Sequence, residues 1–287
     1  MTIGSSQDEL DWLVSEPQPF PRDWFEDETP QHELEVSPFL LSRTPITNLQ
    51  FATFCDDSNY TTDAERRSFG NIHGPQGWET RAGAYWRFPV GDGRDVMTDR
   101  QSHPVVHISF EDATSYCQWA GLRLPTESEY EYAAQGLHHR RWPWGDVWEI
   151  QSANGAEYWM ANLDGAFQFA TNTAFAVWHN WWEQQYLWAE GMPLTTDVFG
   201  GQFPAQGPFQ LIDVVGNVYE WTSSLTNLYG KESNYHPMFQ SIVDRYRVVK
   251  GGSFMNLKYQ LRCAERMHCD PKGWSNFAIG FRCASDV

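Results

Sequence analysis

Basic residues are scarce in this chain. It carries 20 Lys and Arg against 37 Asp and Glu, a formal net charge of −17. Phosphate binding needs clustered cations, so this balance argues against DNA, RNA and anionic lipid as partners. Long apolar runs are missing as well. No stretch approaches the roughly 18 residues of a membrane-spanning helix. The opening residues have neither a basic n-region nor an apolar h-region, so no secretory signal is read there and a cytoplasmic chain is expected. Cysteine is sparse: Cys55, Cys117, Cys263, Cys269 and Cys283 are too few to scaffold 287 residues. Their odd number leaves a thiol over in any intramolecular pairing. No CxxC occurs, which removes the commonest zinc signatures. Neither an internal repeat nor a low-complexity linker marks a boundary, so residues 1–287 are expected to form one domain.

What is abundant is tryptophan, with 15 in the chain. Eight of them fall in a poorly periodic stretch, about 137–207: Trp142, Trp144, Trp148, Trp159, Trp178, Trp181, Trp182 and Trp188. Aromatics bury large areas, and long irregular segments in compact domains either cover a core or carry function. Both readings stay open, a loop layer over the core or an aromatic ligand pocket.

Three helices are announced by their starts. Thr47, Ser109 and Thr126 are each followed three residues later by Gln50, Asp112 and Glu129. That spacing predicts capping boxes, in which two side chains satisfy otherwise orphaned backbone N–H groups. The second helix should stop at Ala120-Gly121. Short β-rich runs appear at Glu33–Leu41 (broken by Pro38), Val105–Ile108, Arg245–Lys250 and Ile279–Arg282. The pattern predicts an α+β domain with little regular structure.

A set of phrases runs through the chain in order. They include Ser37-Pro38-Phe39, Pro45-Ile46-Thr47-Asn48, Gly83-Ala84-Tyr85-Trp86-Arg87 and the stretch from His103 to Ser109. They go on through Arg123-Leu124-Pro125-Thr126-Glu127, Trp142-Pro143-Trp144-Gly145-Asp146 and the stretch from Asp213 to Thr222. Lys250-Gly251-Gly252-Ser253 and Gly280-Phe281-Arg282-Cys283 complete them. This ordered set resembles the formylglycine-generating-enzyme, or sulfatase-modifying-factor, family over nearly the whole chain. The resemblance implies that family's variant of the C-type-lectin-like fold, with small antiparallel sheets and flanking helices.

Asp213, Gly216, Val218 and Glu220 would offer two carboxylates and two turn carbonyls, a donor mix that suits calcium. The resemblance implies a structural calcium at these four residues. A second calcium site is expected within Ala153–Thr196, where Asn154 and Asn162 are both candidate anchors. The resemblance also implies a disulfide between Cys117 and Cys283. Cys263 matches another half-cystine whose partner position holds Ala134, so that bond is absent.

The likeness breaks at the catalytic loop. The family enzyme holds copper on two cysteines just after its Gly-Gly-Ser motif, as soft thiolates suit Cu(I). Here Asn256 stands at the first position, no cysteine at the second, and the loop is shorter. Copper chemistry of that kind is not expected here. Cys263, His268 and Cys269 lie just beyond and form an alternative donor set for copper or iron. His103 and His107 are expected to be structural, and His179 could ligate or act as a base. The candidate pocket lies where the Gly251-Gly252-Ser253 loop meets Tyr219, with Ser253, Asn256, Tyr219 and Arg262 lining it. The expected function is a metal- and oxygen-dependent oxidoreductase with altered chemistry, acting on a small molecule or modified peptide. The alternative is a non-catalytic ligand- or protein-binding member of the family, in which a protein partner takes the place of substrate.

Overall fold

The computed structural model describes residues 1–16, 20–163, 182–183, 189–230 and 235–287. His179, Trp178, Trp181 and Trp188 lie outside the described residues, as does the side chain of Asn162. Strands are short: β1 (Thr2–Ile3), β2 (His32–Glu33), β3 (Phe39–Leu41), β4 (Phe69–Gly74), β5 (Gly77–Ala82), β6 (Tyr219–Leu225), β7 (Arg247–Lys250), β8 (Met267–Cys269), β9 (Ile279–Gly280) and β10 (Ala284–Asp286). The largest sheet has the order β8-β7-β6-β9, antiparallel except for the parallel β6–β9 pair. Separate two-stranded sheets join β1 to β2, β3 to β10 and β4 to β5. The β3–β10 ladder ties residues near the two ends of the chain together.

The three expected capping boxes are all formed. They open α2 (Asn48–Ser58), α4 (Phe110–Trp119) and α5 (Glu127–Gln135), which follow α1 (Gln7–Ser15) and, for the last two, α3 (Asp63–Arg67). Thr62 and Glu65 form a further box at α3. Each box satisfies two donors, and losing such a cap costs about 1 kcal/mol. Gly121 takes a left-handed φ of 70° just past the end of α4.

One sequence expectation fails. Val105–Ile108 is not a strand, because His107 sits at φ 59° and turns the chain out of extended geometry. Its neighbours make single cross-chain bonds instead, Val105 N–H to the Ile46 carbonyl and His107 N–H to the Asn276 carbonyl. The Ile279–Arg282 run shortens to two strand residues. Pro38 does separate β2 from β3, and the two pair in different sheets.

Two apolar clusters flank the main sheet. One packs Phe51, Phe54, Trp86, Tyr116, Trp221 and Phe281 beneath α2 and α4. The Trp221 indole there donates to the Ile108 carbonyl at 2.8 Å. The other gathers Leu10, Leu13, Phe25, Trp182, Phe254 and Phe277. Trp142 is buried too, its indole donating to the Lys258 carbonyl at 3.1 Å. Among the described tryptophans of the 137–207 stretch, Trp142 and Trp182 are therefore core residues.

Candidate functional site

The loop after β7 is built by glycine. Gly251 and Gly252 both take positive φ, 89° and 68°. A Cβ at Gly251 would lie 2.7 Å from the Tyr130 hydroxyl, and one at Gly252 would lie 2.7 Å from the Gln260 carbonyl. Only glycine lets the chain double back this tightly. Ser253 and Asn256 then lock the return. The Asn256 side-chain oxygen accepts from the Ser253 N–H at 2.9 Å and from its hydroxyl at 2.7 Å.

This loop forms one wall of a cavity of about 580 Å³. Ser253, Asn256, Gln260 and Asn276 give it a polar side. Trp78, Tyr219, Met255, Leu257 and Trp274 give it an apolar one. The size and the mix of an apolar lining with a few convergent polar groups are those of a small-ligand site. Ser253, Asn256 and Tyr219 are thus brought together as the sequence suggested.

Arg262 is not part of this wall. It is buried behind the loop, its guanidinium on the Glu28 carboxylate at 2.8 and 2.5 Å and its Nε on the Tyr259 carbonyl. The expectation that it lines the pocket is corrected. Its partner lies 234 residues away in sequence, so no local pattern announced the pair.

Tyr219 presents its ring to the cavity, while its hydroxyl is buried without a hydrogen-bond partner among the described residues. Burial, then the nearby Glu265 carboxyl and Cys269, push that phenol well above its ordinary pKa. Glu265 is itself buried with Oε2 unpartnered among the described residues. Burial and then Glu28 raise its carboxyl to about 8. Nothing in the sequence singled Glu265 out, because its effect comes from low-dielectric surroundings rather than spacing.

The chain belongs to the sulfatase-modifying-factor enzyme family. The model of the sulfatase-modifying factor enzyme 1-like domain matches residues 12–287. The formylglycine-generating enzyme of Streptomyces coelicolor is 34% identical over 91% of this chain and 82% of its own length. The inactive C-alpha-formylglycine-generating enzyme 2 of Mus musculus is 29% identical over 91% of this chain and 79% of its own. Among solved structures, PvdO from Pseudomonas aeruginosa superposes with a TM-score of 0.61 at 20% identity, covering 100% of this chain and 91% of that one, a likeness of fold.

Within this family member, the donors after the Gly-Gly-Ser motif do not fit a copper dithiolate. Asn256 is spent on Ser253, and the nearest cysteines are separated. Cys263 packs with Ala134 and Tyr130 in an apolar cluster, where burial pushes its thiol far up. Cys269 reaches the cavity, and burial raises its thiol to about 12. His268 lines the cavity too, with one ring nitrogen 2.7 Å from Asp27 and the other 2.9 Å from Thr226. Cys263, His268 and Cys269 therefore do not converge as a donor set for copper or iron. No group of three His, Cys, Asp or Glu side chains arranged for a metal ion occurs among the described residues. His103 and His107 are held neutral by burial, each lowered to about 4.

The Asp213–Glu220 turn is different. Both carboxyl groups are buried, and among the described residues the guanidinium facing them is that of Arg282. Arg282 donates to both oxygens of Glu220 and to the Ile212 and Asp213 carbonyls. Asp213 accepts one bond from Asn217 at 2.8 Å. Two carboxyl groups thus share one guanidinium, and burial raises both, Asp213 to about 7. That donor set fits a hard cation. Asn154, the candidate anchor for a second site, is already engaged by Leu194, Thr196, Asn217 and Trp159. No helix among the described residues is long and apolar enough to cross a membrane.

Proposed function

We propose that this protein is a ligand-binding member of its family, with a small molecule or modified peptide as the ligand of the cavity beside Ser253, Asn256 and Tyr219. The supporting observation is that the Gly251-Gly252 return builds a large, part-apolar cavity with amide and hydroxyl groups on its polar side, Asn256 standing at the family's first cysteine position and no cysteine at the second. Such groups orient a ligand by hydrogen bonds and supply no soft donor for Cu(I). Equilibrium dialysis against a small-molecule and peptide library, with wild type and an Asn256→Trp variant that fills the cavity, tests this. Retained binding in Asn256→Trp would move the ligand elsewhere.

The second reading keeps the family's chemistry, a metal- and oxygen-dependent oxidation of the same ligand. The relatives named for formylglycine generation favour it. It needs copper or iron donors beyond Cys263, His268 and Cys269. Elemental analysis of chelator-free protein, followed by oxygen-uptake assays with bound ligand, separates the readings. A stoichiometric redox metal with ligand-dependent oxygen uptake selects the oxidoreductase.

A structural calcium on Asp213, Glu220 and the Gly216 and Val218 carbonyls belongs to either reading. It would neutralise the carboxylate that Arg282 leaves unmatched. A cytoplasmic location accords with the unpaired cysteines.

A further inference from the structure

We propose that the cavity selects a cationic organic group, an ammonium on an apolar stem; this rests on the ligand-binding reading above. Among the described residues the wall contains no Lys and no Arg. An anionic ligand would therefore meet no counter-charge there, and it would approach against the field of a chain with net charge −17. What the wall does contain is aromatic: Phe20, Trp78, Tyr219, Tyr246 and Trp274. Ring faces carry negative quadrupole density that attracts ammonium groups, and quaternary ammonium ligands are recognised by such rings.

A carboxylate completes the wall. Asp270 lines the cavity and accepts only the Lys272 N–H, at 2.9 Å, and it makes no ion pair among the described residues. Trp78 is held upright by edge contacts to Trp274 and Phe277, with centroids 6.4 and 6.0 Å away. Yet it stays 52% exposed, an indole kept at the cavity rather than in the core. Rings plus an uncommitted carboxylate, with no Lys or Arg among the described lining residues and with His268 already turned to Asp27, describe a site for positive charge. The ammonium could come from a free amine or from a side chain of a peptide.

Isothermal titration of the purified full chain with three isosteres tests this: choline, neutral 3,3-dimethylbutanol and anionic 3,3-dimethylbutyrate. Choline should bind roughly tenfold more tightly than the alcohol, and the carboxylate should give no heat. Asp270→Asn should weaken choline several-fold and leave the alcohol unchanged. Trp78→Ala should also weaken choline, and its exposed position lets the variant fold. Blocked tripeptides with trimethyllysine or norleucine at the centre separate the sources; preference for trimethyllysine without choline binding assigns the site to a peptide side chain. Equal or tighter binding of the alcohol or the carboxylate overturns the cation proposal and leaves a ligand cavity. Silence from all probes, while the library dialysis still finds a ligand lost in Asn256→Trp, overturns the proposal alone. Silence in both overturns the ligand-binding reading too.

Discussion

Arg282 grips Glu220 with two hydrogen bonds, 2.6 and 2.8 Å, and both side chains are wholly inaccessible to solvent. Removing one member of such a pair leaves an uncompensated buried charge. Arg282→Met should therefore destabilise the fold by about 3–5 kcal/mol. By contrast Asp11→Ala, which breaks the exposed Arg22–Asp11 pair, should change stability by less than about 1 kcal/mol. Urea titrations of both variants check the contrast, and similar losses would contradict it.

Calcium should raise the melting temperature, and a chelator should lower it. Asp213→Ala should remove the response, because the cation stabilises only the folded turn that holds its ligands. A melting temperature indifferent to calcium in the wild type would mean that Arg282 alone serves the turn.

Cys117 and Cys283 lie with sulfur atoms 3.4 Å apart, both buried and unbonded. Their mutual contact and burial push the Cys283 thiol upward. Mild oxidation should join them, seen as the loss of two titratable thiols and a 117–283 crosslinked peptide in mass spectrometry. The closed loop would constrain the unfolded chain by at most roughly 5 kcal/mol. Cys117→Ser should show neither the crosslink nor a gain in stability on oxidation.

Glu157 offers a test in pH. It is buried, with Oε1 accepting the Lys258 N–H at 2.7 Å and Oε2 without a partner among the described residues. Burial raises its carboxyl from the usual 4.5 to about 7. As pH rises above 4.5, the unfolded chain releases this proton first, so the folded state loses ground until about pH 7. Glu157→Gln keeps an acceptor for Lys258 and removes the charge. Its stability gain over wild type should grow from near zero at acid pH to about 3 kcal/mol above neutrality. A pH-independent difference would rule this out.

Local chemistry was legible in the sequence, and distant pairing was not. Thr47, Ser109 and Thr126 declared their helices because a capping box is complete within four residues. The β4–β5 hairpin escaped because Phe69–Gly74 has almost no alternation and is buried nearly throughout. Strands such as β1, two residues long, are fixed by neighbours rather than propensity. At the site, the phrase around Gly251 located Ser253, Asn256 and Tyr219. Arg262 was misplaced because its orientation is set by Glu28, which belongs to the opposite end of the chain. Trp78, Asp270 and Glu265 were missed for the same kind of reason, since folding alone brings them to the cavity or behind it.

The loop bearing the cavity wall is fastened from behind. Arg262 holds Glu28, Arg266 holds Glu127 and the Asp27 carbonyl, and His268 holds Asp27 and Thr226. Met255, Leu257, Asp270 and Trp274 carry none of these fastenings. Substitutions at these four positions should therefore change what the cavity accepts while leaving the attachments intact, so that selectivity and scaffold stability are set by different side chains.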